Sequence, residues 1–374
     1  MNTSEKILFV RFRKPFAIKD GGEYLTQKNY DVFCEIFGKQ NIEEYYIHPD
    51  LTHETIWNKI QKLPYIFANY YFGLTPRKAR QICKIAENKD IVFIDRSIFG
   101  ILAKHLKRSG FSGKIITFFQ NSEVVYYQTR YPKHIPFRSF LLRCINRNDA
   151  YAMRYSDITV CLNRRDDDEL LKRYGKRTNA VIPITVDDKF CRDVACNVST
   201  ENPPTALFLG SYMPANVDGI LWFIENVLPH VDIRLQVVGK GVSKLKNHVE
   251  TRHALSLQKT KIEIFSDVED VSPFFEHADF VISPIFKGSG MKVKTCEALM
   301  YGKTIIGTTE SFEGYAVDFE KIGALANTKD EFIVAIQEIS LKNNGKFNTY
   351  AREYFLQHHS SEVAKKIFEK LLRP

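Results

Sequence analysis

The stretch FVISPIFKGSGMKVKTCEALMYGKTIIG, residues 280–307, decides how this chain is read. An apolar, partly β-branched run ends in a Gly-Ser-Gly turn, a segment with helical spacing follows, and a second apolar run begins. That order predicts a strand, a tight turn, a helix from about residue 291 to 301 and a parallel neighbouring strand. Gly288 and Gly290 let the backbone turn closely and expose its amides. The helix N-terminus adds unpaired N–H groups and partial positive charge, which together favour a phosphate or diphosphate. Lys292 and Lys294 fall in the first turn, where a cation opposes the helix dipole, so a bound anion would compensate them. Glu297 lies one turn beyond Lys294, and its carboxylate can accept two hydrogen bonds from a vicinal diol such as ribose. A surface helix with an ordinary Lys–Glu pair would produce the same local pattern.

The pattern recurs along the chain. Short apolar runs alternate with helical stretches, at 7–12, 65–70, 91–95, 114–119, 158–163 and 180–184, and again at 205–210, 234–239, 262–268, 280–285 and 304–309. Continuous apolar strands separated by helices predict parallel sheets covered on both faces. The alternation breaks at CNVSTENPP, residues 196–204, a polar segment ending in Pro-Pro. The expected organisation is therefore two Rossmann-like α/β domains, 1–195 and 205–350, joined by the linker 196–204. They are expected to face a central cleft. Residues 351–374 read as a C-terminal helix that packs back on the first domain. Further glycine corners follow predicted strands at Gly21 and Gly22, at Gly210 and at Gly239, and these join the set expected to bind a ligand. Each alone also fits close packing.

Composition sets the class. The 374 residues are 44% hydrophobic and 26% charged, which is a globular balance. No window is long and apolar enough to span a bilayer, and the N-terminus reads as a first strand rather than a leader. The seven cysteines show no C-x-x-C spacing and the ten histidines no H-E-x-x-H, so no metal site is expected. Scattered thiols fit a reducing cytoplasm. The net charge of +9 is one-sided: residues 1–200 carry 33 Lys+Arg against 22 Asp+Glu, and residues 201–374 carry 20 against 22. Residues 101–147 hold nine basic residues and one acidic one, Glu123. Such a surface predicts an anionic partner, either a diphosphate-linked acceptor, lipid headgroups or nucleic acid. The segment 131–147 mixes apolar and basic residues and fits either a membrane-surface helix or a domain helix with a solvated basic edge.

With these blocks in order, the sequence resembles the GT-B glycosyltransferases of group 1, family four. LGSYMPANVDGILWFIENVLP (209–229), LQVVGKG (235–241), the stretch from Ile264 to Thr308 and ESFEGY (310–315) resemble that family's donor domain. FFQNSEVVYY (118–127) and RYSDITVCLNRRDDDELLKRYG (154–175) resemble its acceptor domain. The resemblance implies transfer of a sugar from a UDP- or GDP-linked donor, with no cofactor, to a glycan or polyprenyl-diphosphate-linked acceptor. It implies retention of anomeric configuration, in the assembly of bacterial surface polysaccharide, by a cytoplasmic protein at the inner face of the membrane. It implies that Glu297 holds the ribose and that Lys294 binds the diphosphate and assists catalysis.

The family usually has two glutamates on the donor helix, and the position of the first is Ser289 here. The basic residue that often follows the first donor-domain strand is missing, which leaves Lys292 to supply charge and Asn216 to reach the sugar. Related acceptor loops often read H-N-x-E. Here Gln120 stands for the histidine, and glutamine exchanges no proton near neutral pH. Asn121 and Glu123 remain as catalytic candidates, with local pairing the plain alternative for Glu123. The acidic run at 166–169 reads as the first turn of a helix rather than as a metal motif. The substitutions at Ser289 and Gln120 keep open a catalytically altered sugar-nucleotide-binding protein, an epimerase or a hydrolase. A nucleic-acid binder would explain the basic first half but not the glycine turns.

Overall fold

The computed structural model describes residues 5–14, 21–48, 63–131, 133–134, 137–190, 203–246, 261–288, 290–342 and 347–372. The chain divides into two compact units, residues 1–183 with 361–374, and residues 184–360.

The first unit holds a six-stranded parallel sheet made of β1 (Ile7–Arg11), β2 (Ile42–Tyr46), β3 (Ile91–Ile94), β4 (Lys114–Phe119), β5 (Ile158–Cys161) and β6 (Ala180–Val181). Its order is β2-β1-β3-β4-β5-β6. The second unit repeats the plan with β7 (Thr205–Leu209), β8 (Arg234–Gly239), β9 (Ile262–Ser266), β10 (Phe280–Ser283), β11 (Thr304–Gly307) and β12 (Gly323–Leu325), ordered β12-β11-β10-β7-β8-β9. Every residue of β1, β3, β5 and β10 is buried, as central strands covered on both faces require.

In each sheet the chain reverses direction of winding once. The reversal lies between β1 and β3 in the first unit and between β7 and β10 in the second. Ligands of doubly wound sheets bind beyond the strand ends at such a point.

Three features depart from the expected elements. The run YIFANY at 65–70 is not a strand: Leu63–Phe67 is helical, and Asn69 turns the chain with φ 66°. β2 and β12 were not expected. Both are edge strands, and β2 is only half-buried with two glutamates, so neither needs the continuous apolar run of a central strand.

The unit boundary falls at residue 184, upstream of the proposed linker, most of which lies outside the described residues. Residues 184–190 pack within the second unit. The amide of Val186 donates to the carbonyl of His359 at 3.0 Å, Arg352 pairs with Asp188, and Phe190 stacks on Phe347. The tail is two helices, Thr349–His358 in the second unit and Ser361–Leu372 in the first. Phe368 of the last helix meets Phe33 at 5.1 Å, and Lys114 donates to the carbonyl of Leu372 at 2.9 Å.

Candidate donor site and the acceptor-side network

The second unit brings the sequence-singled residues together at its winding reversal. β10 ends at Ser283 and the following loop leads into the helix Val293–Met300, two residues later in its start than the spacing predicts. Lys292 is the residue before the first helical one, extended at φ −96°, and its side chain does not cap the helix. β7 ends at Leu209, and the loop after it leads into the helix Pro214–Asn226. Lys294 spans from one loop to the other: its Nζ donates to Asn216 Oδ1 at 2.6 Å and lies 4.9 Å from the Phe208 ring centre. The Asn216 amide group in turn donates to the carbonyl of Ser211 at 2.9 Å.

The two lysines have different surroundings. Lys292 donates to Glu310 Oε1 at 2.7 Å and to the carbonyl of Gly290 at 2.8 Å. It therefore latches the glycine turn, and its charge is already met by a carboxylate. Lys294 is bonded to a neutral amide oxygen over an aromatic face. Burial, with the Lys292 charge beside it, lowers its pKa to about 7. Glu297 is raised to about 7 by burial, against the pull of Lys189 and Lys294. A half-buried lysine and glutamate, each shifted by burial away from its ordinary charge state, make this turn a candidate ligand site.

The loop that carries this site is held from β11. Thr308 donates to the carbonyl of Ile285 and Ser311 to that of Ser283, while the Tyr315 hydroxyl donates to the carbonyl of Lys292 at 2.7 Å. Gly290 has φ 64°, a left-handed backbone suited to glycine. Gly288 leaves room for the Lys292–Glu310 pair, since a Cβ there would lie 3.1 Å from Glu310 Oε1. Ser289 lies outside the described residues. Gly210 and Gly239 act through close approach: a Cβ on Gly239 would lie 2.1 Å from the carbonyl oxygen of Gly210. Those two glycines let the ends of β7 and β8 meet. Sequence reasoning gave no role to Glu310, Phe208, Thr308 or Ser311. All four lie within runs or blocks named from the sequence, but nothing in the spacing of Glu310 pointed to Lys292.

The acceptor-side candidates sit in the first unit and mostly turn inward. Glu123 is fully buried and takes three hydrogen bonds from Arg96, two from Nη2 at 2.7 and 3.0 Å and one from Nε at 2.9 Å. Burial raises its pKa and the Arg96 charge opposes that rise. The plain alternative for Glu123 is thus the arrangement found: it neutralises a buried guanidinium. Removing one partner of such a pair strands the other. Glu123→Ala should cost about 3–5 kcal/mol of folding stability, read from denaturant unfolding. A loss under 1 kcal/mol would show that the pair carries no such weight.

Gln120 is 5% exposed and donates to Thr26 Oγ1 at 3.0 Å. Thr26 donates to Asp95 Oδ2 at 2.5 Å, and its Oγ1 lies 3.0 Å from the carbonyl of Gly22. Burial raises Asp95 to about 6. Gly21 and Gly22 open the helix Gly21–Phe37, with the Gly22 carbonyl joined to this network. Asn121 is half-buried just before the helix Glu123–Arg130. The acidic run opens the helix Arg164–Tyr174: Asn163 caps it by accepting from the Asp166 amide, and Asp167 pairs with Arg177 at 2.6 Å. Among the described residues, no helix is long and apolar enough to cross a membrane.

Comparison with solved structures defines the class. A sucrose-phosphate synthase from Thermosynechococcus elongatus superposes with a TM-score of 0.71 at 12% identity, covering 99% of this chain and 98% of that one. Anabaena HepE in complex with UDP-glucose gives 0.66 at 12% identity over 98% and 99%. The apo form of the lipopolysaccharide outer core galactosyltransferase WaaB gives 0.67 at 14% over 98% and 99%. At such identities the likeness is one of fold, and the chain has the GT-B glycosyltransferase fold.

Part of the chain also matches a family model. Residues 203–341, within the second unit, match the model described as Glycosyl transferases group 1. An uncharacterized 44.6 kDa protein in the cps region of Klebsiella pneumoniae is 24% identical over 180 residues, 45% of this chain. That match spans 45% of the curated relative's length.

Proposed function

We propose that this protein transfers a sugar from a nucleotide-sugar donor to a glycan or lipid-linked acceptor, with retention, in bacterial surface polysaccharide assembly. The observation that carries the reading is Lys294. Its ammonium is half-buried at the reversal between β7 and β10, bonded to an amide oxygen rather than a carboxylate, three residues from Glu297. A diphosphate supplies the missing negative charge, and a ribose diol supplies donors for Glu297. The UDP-glucose and UDP complexes of Anabaena HepE support a nucleotide-sugar donor. The cps-region relative supports a role in surface polysaccharide.

In this reading the donor's C1–oxygen bond to the diphosphate breaks while the acceptor oxygen bonds C1 from the same face. The departing diphosphate oxygen takes the acceptor proton. Lys294 and the main-chain amides at the start of the helix Val293–Met300 hold the charge that develops on the leaving group. They take the place a divalent cation fills in other transferases, and the reading calls for a cytoplasmic protein that works without one.

The test is a panel of UDP- and GDP-sugars with and without candidate acceptors, read as nucleotide release and repeated with chelator. Acceptor-dependent release that survives chelation is expected. Tight binding with no release under any acceptor would instead identify a sugar-nucleotide-binding protein. Absence of binding to every donor would overturn the reading.

A further inference from the structure

We infer that the first unit docks on an anionic lipid surface through a tip formed by the helices Leu63–Phe67 and Arg138–Tyr155. Four of the five exposed large apolar side chains described in that unit gather on these two elements: Tyr65, Phe67, Phe137 and Phe140. Phe67 and Phe140 join them, with ring centres 5.2 Å apart. The segment 65–70 is far from 131–147 in sequence, so neither shows the patch alone. Exposed aromatics gathered in one place mark an interaction surface rather than scattered exposure.

Phe137 is the strongest sign. It is the residue before the first helical turn and is 57% exposed, with φ 61° and no side-chain cap. A bulky residue in a left-handed backbone is strained. The same position favours Asn, Asp or Ser as a cap. Phenylalanine therefore works against folding here on two counts, while more than half of its surface stays exposed. An apolar environment outside the folded chain supplies the reason for it.

Charge identifies that environment. Arg143, Arg147 and Arg154 are exposed on the face that Phe140 begins, at helical spacing. The Arg143 guanidinium lies 5.9 Å from the Phe140 ring centre, and Lys104 lies 4.4 Å from that of Tyr151 on the same face. The acidic residues of the chain from 101 to 156 are Glu123 and Asp149, and both are fully buried, so neither offsets these cations at the surface. An aromatic tip followed by an arginine face matches rings seated at the headgroup level and cations on lipid phosphates. Three of the four rings, those of Phe67, Phe137 and Phe140, carry no polar atom, and with Pro64 and Ala68 also exposed they favour a lipid surface over stacked nucleic-acid bases.

The test is flotation of the full chain with vesicles of equal parts phosphatidylglycerol and phosphatidylcholine, and with pure phosphatidylcholine. Binding to the anionic vesicles only is expected, weakening as salt rises. The double variant Phe137→Asn with Phe140→Ser should lose at least tenfold in binding. Phe137→Asn alone should keep or raise the melting temperature, which separates lost docking from lost folding. Arg143→Glu with Arg147→Glu should lose binding as well. No binding to anionic vesicles, or unchanged binding in both double variants, overturns the inference. So does a patch-dependent dimer in light scattering, or patch-dependent binding of poly-uridylate without vesicle binding. The readout is lipid alone, so its failure leaves the donor-site reading standing.

Discussion

Glu297→Ala should weaken binding of the cognate nucleotide about 10- to 100-fold, the worth of one charge-assisted hydrogen bond. Titration calorimetry with UDP and with GDP reads this directly. The physical ground is that Glu297 gains nothing from its place in the unliganded fold. Burial raises its pKa to about 7, against the pull of the neighbouring lysines, so the folded chain resists its charge. Between about pH 4.5 and 7 the folded state binds a proton that the unfolded state has released, and Glu297 therefore costs stability as pH rises through that window. Glu297→Gln should accordingly fold at least as well as the parent while binding nucleotide poorly. Undiminished affinity in both variants would remove Glu297 from the site.

Lys294→Ala should lower turnover about 10²- to 10³-fold, with a smaller change in donor KM, because its charge matters most as the leaving diphosphate gains charge. This lysine also acts against folding. Its pKa falls from the usual lysine range to about 7, so between about pH 7 and 10.4 the unfolded chain holds a proton that folded Lys294 has given up. That cost is fully present below pH 7, shrinks as pH rises from 7 to about 10.4, and is gone above the unfolded pKa. Lys294→Ala should leave the melting temperature unchanged or raised at neutral pH.

The same numbers set a pH profile for binding. A nucleotide sugar carries a diphosphate diester that does not titrate near neutrality, so the protein alone sets the dependence. Affinity should fall above pH 7 as free Lys294 loses its proton, and below pH 7 as Glu297 gains one. Lys294→Ala should flatten the alkaline side and move the acid side to higher pH, because Lys294 helps hold the Glu297 pKa down. An unaltered alkaline limb in that variant would assign the titration elsewhere.

The sheets were legible because their central strands are covered on both faces, which forces uninterrupted apolar runs such as IVFI in β3 and FVIS in β10. Of the four edge strands, β6 and β9 carried apolar runs and were legible, whereas β2 and β12 carry no such run and were not. YIFANY misled for a related reason: Tyr65 and Phe67 face solvent while Tyr70 faces the core, and composition alone does not distinguish the two. Glu123 illustrates the limit for sites. A lone carboxylate in a basic stretch invites a catalytic role, and only the fold brings in Arg96, 27 residues earlier, to bind it.

By itself the sequence determined the strand–turn–helix grammar and the two α/β halves, and it singled out Gly288, Gly290, Lys294 and Glu297 as candidates for an anion-and-diol set. These are properties of neighbours in the chain, where spacing fixes geometry. Tertiary structure alone decided that Lys292 is spent on Glu310 while Lys294 is held by Asn216, and that Phe67 joins Phe140 in one exposed tip. Those partners lie 18 to 78 residues apart. Charge state and exposure follow from what the fold places beside a group, and a linear pattern carries no record of that.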